Sequence, residues 1–324
     1  MSSFKKCKIK LKWKYFRLAA KAKRVTLPGF DSVPLYDVGV FFINGLYNGA
    51  ISLRASAIAY SFFLALFPAI IFLFTLIPYI PIDNFQVELL RMISGIMPNN
   101  AYSAIQTTIE DIAMHKRGGL LSFGFLASLI FSTNGIAAMI SAFNGTVNSF
   151  ENRNWFSIRF ISVILVLILT SLITIAISLI TFSRTFLNYL VSIGFLKDNI
   201  TYYLIYFGQF IIIITLFFIA ISFLYYLAPA KKTKWKFISA GATLATLLSI
   251  IISFIFSFYI NHFGRYNTLY GSIGTIIVIL VMFYINALVL IIGFELNAGI
   301  KNAKLERIKP FFHHKKTRSH KLVN

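Results

Sequence analysis

The chain has few charged residues, and few of these are acidic. Of its 324 residues, 13% are charged and 58% are hydrophobic, whereas a soluble globular domain carries about 25% charged residues. This composition excludes an ordinary soluble domain. The single cysteine, Cys7, has no partner within the chain, so intramolecular disulfides contribute nothing to the fold.

Side chains for acid–base or metal chemistry are also scarce. The chain has ten acidic residues and five histidines, and only Glu295 lies within an apolar run. No two histidines have the spacing of a helical metal site. The Gly-rich patch that opens the last apolar run lacks the lysine of a phosphate-binding loop. The sequence therefore predicts no catalytic residue, metal site or cofactor, and it predicts that the protein is not an enzyme.

What the chain does contain is six long apolar runs. About 20 apolar residues in a helix cross a hydrocarbon core roughly 30 Å thick, and strand-like alternation is absent from these runs. We predict an all-α polytopic membrane protein with transmembrane helices at 55–79, 119–143, 158–182, 203–228, 237–262 and 273–298.

Shorter amphipathic helices are predicted outside the spans. Residues 37–54 have apolar side chains at helical spacing, which is typical of a helix lying at the membrane interface. The long connection 81–118 is predicted to form two short amphipathic helices separated at Pro98. We divide the chain into a basic N-terminal tail (1–36), a six-helix transmembrane domain (37–300) and a basic C-terminal tail (301–324).

The positive charges predict the orientation. With both termini inside the cell, 25 of the 31 Lys and Arg residues lie on the cytoplasmic side and 6 on the other, as the positive-inside rule requires. We therefore expect a multi-pass protein of the cell inner (plasma) membrane with cytoplasmic termini. The basic tails are expected to contact anionic lipid headgroups and not nucleic acid. The oligomeric state is left open.

Small residues recur every four positions along the fifth run. Such a stripe lets two helices approach closely, either for bundle assembly or as a sliding contact in a transporter. Its members are Gly241, Ala245, Ser249, Ser253 and Ser257.

Several polar residues and one proline lie at membrane depth. Asn134, Gln209 and Asn286 each need a partner, because an unpaired polar group in hydrocarbon costs several kcal/mol. Bonds between helices are the first interpretation, and a polar path through the bundle is the alternative. Pro68 lies midway along the first span and is expected to kink it.

An ion pair is predicted between the first and last spans. Under the six-span topology, Arg54 and Glu295 lie at the same face of the membrane, and a carboxylate within a span needs a cationic partner. The alternative is that Glu295 reaches interfacial water or pairs with Lys301.

Six short motifs together resemble the YihY/virulence factor BrkB family across about residues 40–300. The resemblance implies an inner-membrane protein with six transmembrane helices and cytoplasmic termini, and it brings no established catalytic residues, although members often carry the label ribonuclease BN. The motifs are Arg54–Pro68, Asn134-Gly135 to Asn144, Tyr226-Leu-Ala-Pro229, Gly241-Ala242, Tyr270-Gly271-Ser272 and Gly293-Phe-Glu-Leu-Asn297.

The predicted function is transport or handling of a lipid or envelope-related substrate. Two alternatives remain. A membrane-tethered ribonuclease would need clustered carboxylates or histidines, and an envelope scaffold would have no cavity.

Overall fold

The structure, a computed structural model, describes residues 20–79, 86–87, 90, 106–107, 110–111, 115–146, 153–194, 198–230, 238–262 and 265–320. These ranges contain long helices and no strand beyond an isolated bridge between Thr26 and Pro34. The helices are α1 (Leu35–Asn48), α2 (Ile51–Leu76, extended by the 3₁₀ turn Ile77–Tyr79), α3 (Gly118–Asn144), α4 (Trp155–Ser192), α5 (Asp198–Leu227), α6 (Ala240–His262) and α7 (Arg265–His320).

Six helices in the described part of the chain, α2 to α7, are long and apolar enough to cross a membrane. The protein is therefore an all-α polytopic membrane protein, and each predicted span coincides with one of these helices. The proposed helices in 81–118 and most of the basic N-terminal tail lie outside the described residues. The division into three segments stays a prediction.

Two helices are much longer than their predicted spans. The 38 residues of α4 extend about 57 Å at 1.5 Å per residue, well beyond the hydrocarbon thickness. No helix-breaking residue follows 182 until Gly194, which has a φ of +73°. In the same way, α7 continues beyond residue 298 through a basic segment to His320.

The predicted amphipathic helix 37–54 is divided in two. α1 ends at Asn48, and α2 begins at Ile51 after Ala50, whose φ of 47° is left-handed. This break turns the chain, so Arg54 belongs to α2. Val38 and Gly45 are buried on α1, which packs against α7, while Tyr47 is exposed. The predicted position at the membrane interface stays a prediction.

The six spanning helices form a closed ring. Each helix from α2 to α6 contacts the next one along the chain, and α7 contacts α2 as well as α6. The ring thus brings the first and last spanning helices together.

Apart from α2 and α3, which also pack closely at Phe72 and Gly124, tight packing lies at one end of this ring, which we call the closed end. It contains the first half of α2, α4 and α6 and the second half of α3, α5 and α7. On α4 to α7, the last buried residues away from this end are Leu165, Ile221, Ser249 and Ala287, apart from Gly274. Beyond this level, at what we call the open end, the side chains of these helices that the structure describes are half-buried or exposed.

At the open end, α4 and α5 separate from the other helices as a pair. Most half-buried positions on α4 there follow a single helical stripe, and most of the other described positions are exposed. One stripe is what contact with one neighbour produces, and α5 is that neighbour. The stripe comprises residues 166, 169, 172, 176, 180, 183, 187 and 190.

The segment before α1 packs on the extension of α7 at the closed end. Phe30, Val33 and Val38 form a small apolar cluster with Ile300 and Ala303. Two ion pairs surround this cluster and link Asp31 to Lys304 and Asp37 to Arg307, both at 2.9 Å.

Candidate functional site

An ion pair joins α2 and α7 at the closed end. Arg54 donates through Nη2 to Glu295 Oε1 at 3.1 Å and through Nη1 to the carbonyl oxygen of Ala142 at 2.7 Å. The Glu295 side chain has 0% exposure. The predicted pair is confirmed, and Glu295 does not reach interfacial water. Arg54 joins α2, α3 and α7 at a single point.

A glycine next to the ion pair makes room for it. A Cβ at Gly49 would lie 2.5 Å from Arg54 Nη2 and 3.4 Å from Glu295 Oε1. A contact of 2.5 Å is closer than van der Waals packing allows. The absence of a side chain at Gly49 therefore lets the guanidinium reach the carboxylate across the start of α2.

The end of α3 holds the C-terminal turn of α5. Asn144 accepts a hydrogen bond from the backbone N–H of Ala230 at 2.9 Å and donates one to the carbonyl oxygen of Ala228 at 3.4 Å. Arg153 donates to the same carbonyl oxygen at 3.3 Å. The last carbonyls of a helix lack partners within it, and Pro229 has no N–H. Asn144 and Arg153 thus supply the hydrogen bonds that this turn needs.

Asn297 on α7 performs the equivalent role at the start of α6. Its Oδ1 accepts a hydrogen bond from the backbone N–H of Gly241 at 2.8 Å, and its Nδ2 donates to Ser239 Oγ at 3.1 Å. Ser239 Oγ also accepts from the N–H of Ala242 at 3.1 Å, as an N-cap serine does. The first turn of α6 is therefore tied to α7.

Three aromatic rings fill the space between these polar ties. Phe143 and Phe294 stack with ring centroids 4.5 Å apart, and Tyr225 meets both rings edge-on at 5.6 and 5.7 Å. The Tyr225 hydroxyl donates to the carbonyl oxygen of Leu290 at 2.6 Å. The closed end thus combines a buried aromatic centre with polar links between helices.

The comparisons with known proteins identify the family of this chain. Residues 42–318 match the family described as virulence factor BrkB. The chain belongs to this family. The motifs that carried the resemblance include Arg54, Asn144, Pro229, Gly241, Glu295 and Asn297, and the structure brings these residues together at the closed end.

Relatives of this BrkB-family chain are known mainly as membrane proteins. It is 33% identical over 268 residues to the ribonuclease-like protein YfkH of Bacillus subtilis, covering 80% of this chain and 93% of the relative. It is 25% identical to a UPF0761 membrane protein of Coxiella burnetii, covering 74% and 84% of the two chains. No solved structure matches the chain.

The amides predicted at membrane depth have different environments. Asn134 accepts a hydrogen bond from Arg159 Nη1 at 2.6 Å, which confirms a bond between helices, here α3 and α4. Asn286 instead donates to the carbonyl oxygen of Met282 on its own helix at 2.9 Å. A bond from Asn286 to another helix was therefore the wrong expectation, because the side chain of this half-buried residue bonds to the preceding turn of α7. Gln209 lies half-buried on α5.

The stripe on α6 packs along only half its length. Gly241, Ala245 and Ser249 are buried, but Ser253 and Ser257 are exposed. The prediction of close packing along the whole helix was wrong for the last two, because the half-buried face of α6 at that level passes through Ile252 and Phe256 instead. Ser253 donates to the carbonyl oxygen of Ser249 on its own helix.

The remaining predicted residues lie away from the closed end. Pro68 lies inside α2, which continues past it to Leu76, and the predicted kink stays a prediction. Tyr270 and Gly271 lie in the first two turns of α7, where the structure describes the backbone alone.

Sequence reasoning missed Arg153 and Arg159 as members of the site. Both lie at or just before the start of α4, next to Trp155. A cation at the N-terminal end of a helix is disfavoured by the helix dipole. Their position was therefore a signal that each serves a specific acceptor, and the structure shows acceptors at the C-terminal end of α5 for Arg153 and on α3 for Arg159.

Some buried polar atoms of the bundle have no hydrogen-bond partner among the described residues. They include Glu295 Oε2, Arg54 Nε and the hydroxyls of Ser222, Thr246 and Ser249. The same ranges contain no group of three or more His, Cys, Asp or Glu residues placed to hold a metal ion. The predictions that the protein uses no cofactor and is not an enzyme stay predictions.

Proposed function

We propose that this BrkB-family protein transports or handles a lipid or envelope-related substrate. The supporting observation is the asymmetry of the helix ring, which is packed and tied by polar links at the closed end, whereas at the open end the described residues show close packing mainly between α2 and α3. A ring that is closed at one end and parted at the other resembles one state of a protein that exposes a central site to one side of the membrane at a time.

The side chains at the open end favour a substrate with acyl chains. Phe254, Ile255 and Phe258 on α6 are exposed there, as are many apolar residues of α4 and α5. Apolar walls bind apolar ligand surface. The unpartnered hydroxyls of Ser222 and Ser249 lie at the boundary with the packed part, where they would meet a polar headgroup.

We place the protein in the plasma membrane. In the proposed orientation, its closed end faces the cytoplasm. This follows from the 25 basic residues that the six-span topology assigns to that side. A cytoplasm-dependent reporter fused to the C-terminus should be active, and a fusion to a reporter that works only outside the cytoplasm should be silent. The reverse result would overturn this orientation.

Lipid movement can be measured in proteoliposomes that contain a phospholipid with a fluorescent headgroup. If the protein exchanges lipid between leaflets, dithionite added outside should bleach well beyond the roughly half of the label that an outer leaflet holds. Protein-free vesicles are the baseline. Bleaching at the baseline level would contradict lipid exchange and favour a scaffold role.

Substitutions on α6 connect this measurement to the open end. Ser253 and Ser257 lie about 40° and 80° around α6 from the buried Ser249 and are exposed, which in this proposal puts them at the edge of the gap between the helices. Ser253→Trp and Ser257→Trp should narrow this gap and slow bleaching. Ile251→Trp is the matched control, because Ile251 lies about 160° around the helix from Ser253 and is also exposed. Equal effects of all three would contradict a route along this face.

A further inference from the structure

We infer that Glu295 is a reversible proton-binding site, and that its protonation releases α2 from α7 and opens the closed end. This inference extends the proposed function by naming what drives the opening. Proton binding can nevertheless be measured in the absence of transport.

The geometry of Glu295 leaves one carboxylate oxygen for a proton. The side chain is fully buried, and Arg54 contacts Oε1 alone. Oε2 has no hydrogen-bond partner among the described residues. A buried ionised carboxylate is stable only when its charge is paired and its oxygens are hydrogen-bonded, and here that condition is half met. A proton on Oε2 would neutralise the carboxylate, so that this oxygen would no longer need a hydrogen-bond donor.

The surroundings select a proton over a metal cation. The Arg54 guanidinium, 3.1 Å from Oε1, would repel a second cation strongly at this depth. Metal ions such as Ca²⁺ also need six or more oxygen ligands, whereas a proton needs one atom.

Few other titratable groups face this carboxylate. Arg54 is the one charged residue of α2, and α3 has no titratable side chain in its sequence. Tyr225 approaches from α5, but its hydroxyl donates to Leu290. On α1, Asp37 is paired with Arg307, and on α6 the titratable residues, Tyr259 and His262, lie at the open end.

Protonation would therefore alter the tie between α2 and α7 directly. Neutral Glu295 loses its charge attraction to Arg54, while Arg54 keeps its hydrogen bond to Ala142 on α3. Helices α2 and α3 would stay together, and α7 would be held to them by uncharged contacts such as the Phe143–Phe294 stack and the Ser52–Tyr284 hydrogen bond, across which it could move. The release thus acts on a single helix contact of the ring, the one between α2 and α7.

Infrared difference spectroscopy on the full chain in lipid nanodiscs detects the proton. Between about pH 8 and pH 5, the wild type should gain the C=O stretching band of a neutral carboxylic acid. Glu295→Gln should lack this band, and Asp37→Asn, which removes a half-buried acid that also pairs with α7, should keep it. A band that survives in Glu295→Gln, or no band in the wild type, would overturn the inference.

Spin labels report the release. Leu53→Cys on α2 and Leu305→Cys on α7 are exposed positions near the closed end, used with Cys7→Ser. Lowering the pH should lengthen their distance by about 5 Å, the rise of one helical turn. Glu295→Gln should show the longer distance at every pH. The wild-type titration does not depend on that variant folding, and an unchanged wild-type distance at low pH would overturn the proposed release.

Discussion

Gly241 and Gly293 bring the backbones of α6 and α7 into direct contact at the closed end. A Cβ at Gly293 would lie 2.7 Å from the carbonyl oxygen of Gly241, and a Cβ at Gly241 would collide with the carbonyl oxygen of Gly293. In a membrane, helices gain stability from such close approach more than from the hydrophobic effect. The contact also places Asn297 within reach of the first turn of α6.

We expect Gly241→Ala to destabilise the protein by about 1–3 kcal/mol, the usual cost of overpacking. The rigid backbone oxygen opposite cannot move aside without shifting α7. Unfolding in detergent micelles gives the free energy. Gly208→Ala on α5 is the matched control, because a Cβ there meets nothing within 4 Å and a helical Gly→Ala exchange alone stabilises by up to about 1 kcal/mol. Equal stability changes in the two variants would show that the glycine contact has no energetic role.

Asn297→Ala should cost about 1–3 kcal/mol, because it leaves the N–H of Gly241 buried without an acceptor. Asn286→Ala provides the comparison, since Asn286 is half-buried and bonds only to its own helix among the described contacts. It should change stability by less than about 0.5 kcal/mol. The same unfolding assay separates the two, and a larger loss for Asn286→Ala would contradict the assigned roles.

Along the small-residue stripe on α6, we expect a bulky substitution to be destabilising at Ser249 but not at Ser253, one turn further on. Ser249 is 3% exposed, so Ser249→Leu should force α6 away from the bundle at a cost of about 1–3 kcal/mol. Ser253 is exposed, and Ser253→Leu should change stability by less than about 0.5 kcal/mol. Melting temperatures in detergent compare the two variants. Equal destabilisation would mean that the helices remain in contact beyond Ser249.

The number and approximate position of the spanning helices were predictable, because apolar length alone determines whether a helix crosses a bilayer. The ion pair was predictable as well, since a carboxylate within a span restricts its own partners. The level at which packing stops was not. Ser249 and Ser253 have the same side chain and the same four-residue spacing, and only the face of α6 that meets its neighbours at each level distinguishes them.

Hydrogen bonds to backbone atoms were also beyond sequence reasoning. Asn144 and Arg153 serve carbonyl or N–H groups at the end of α5, and every residue carries such groups. The sequence shows the donors but does not show which helix end they meet. Lengths of α4 and α7 were underestimated for a related reason, since the helical periodicity continues outside the hydrocarbon region where hydropathy no longer marks it.

The ion pair between Arg54 and Glu295 predicts strong coupling in a double-mutant cycle. Arg54→Ala or Glu295→Ala alone should each cost about 3–5 kcal/mol, because either change leaves an uncompensated buried charge. The double variant should lose much less than the sum of the two losses. A parallel cycle on the more exposed pair Asp31 and Lys304 should give a coupling of about 0–1 kcal/mol. Additive losses at Arg54 and Glu295, measured by unfolding in lipid bicelles, would show that the pair does not hold α2 and α7 together.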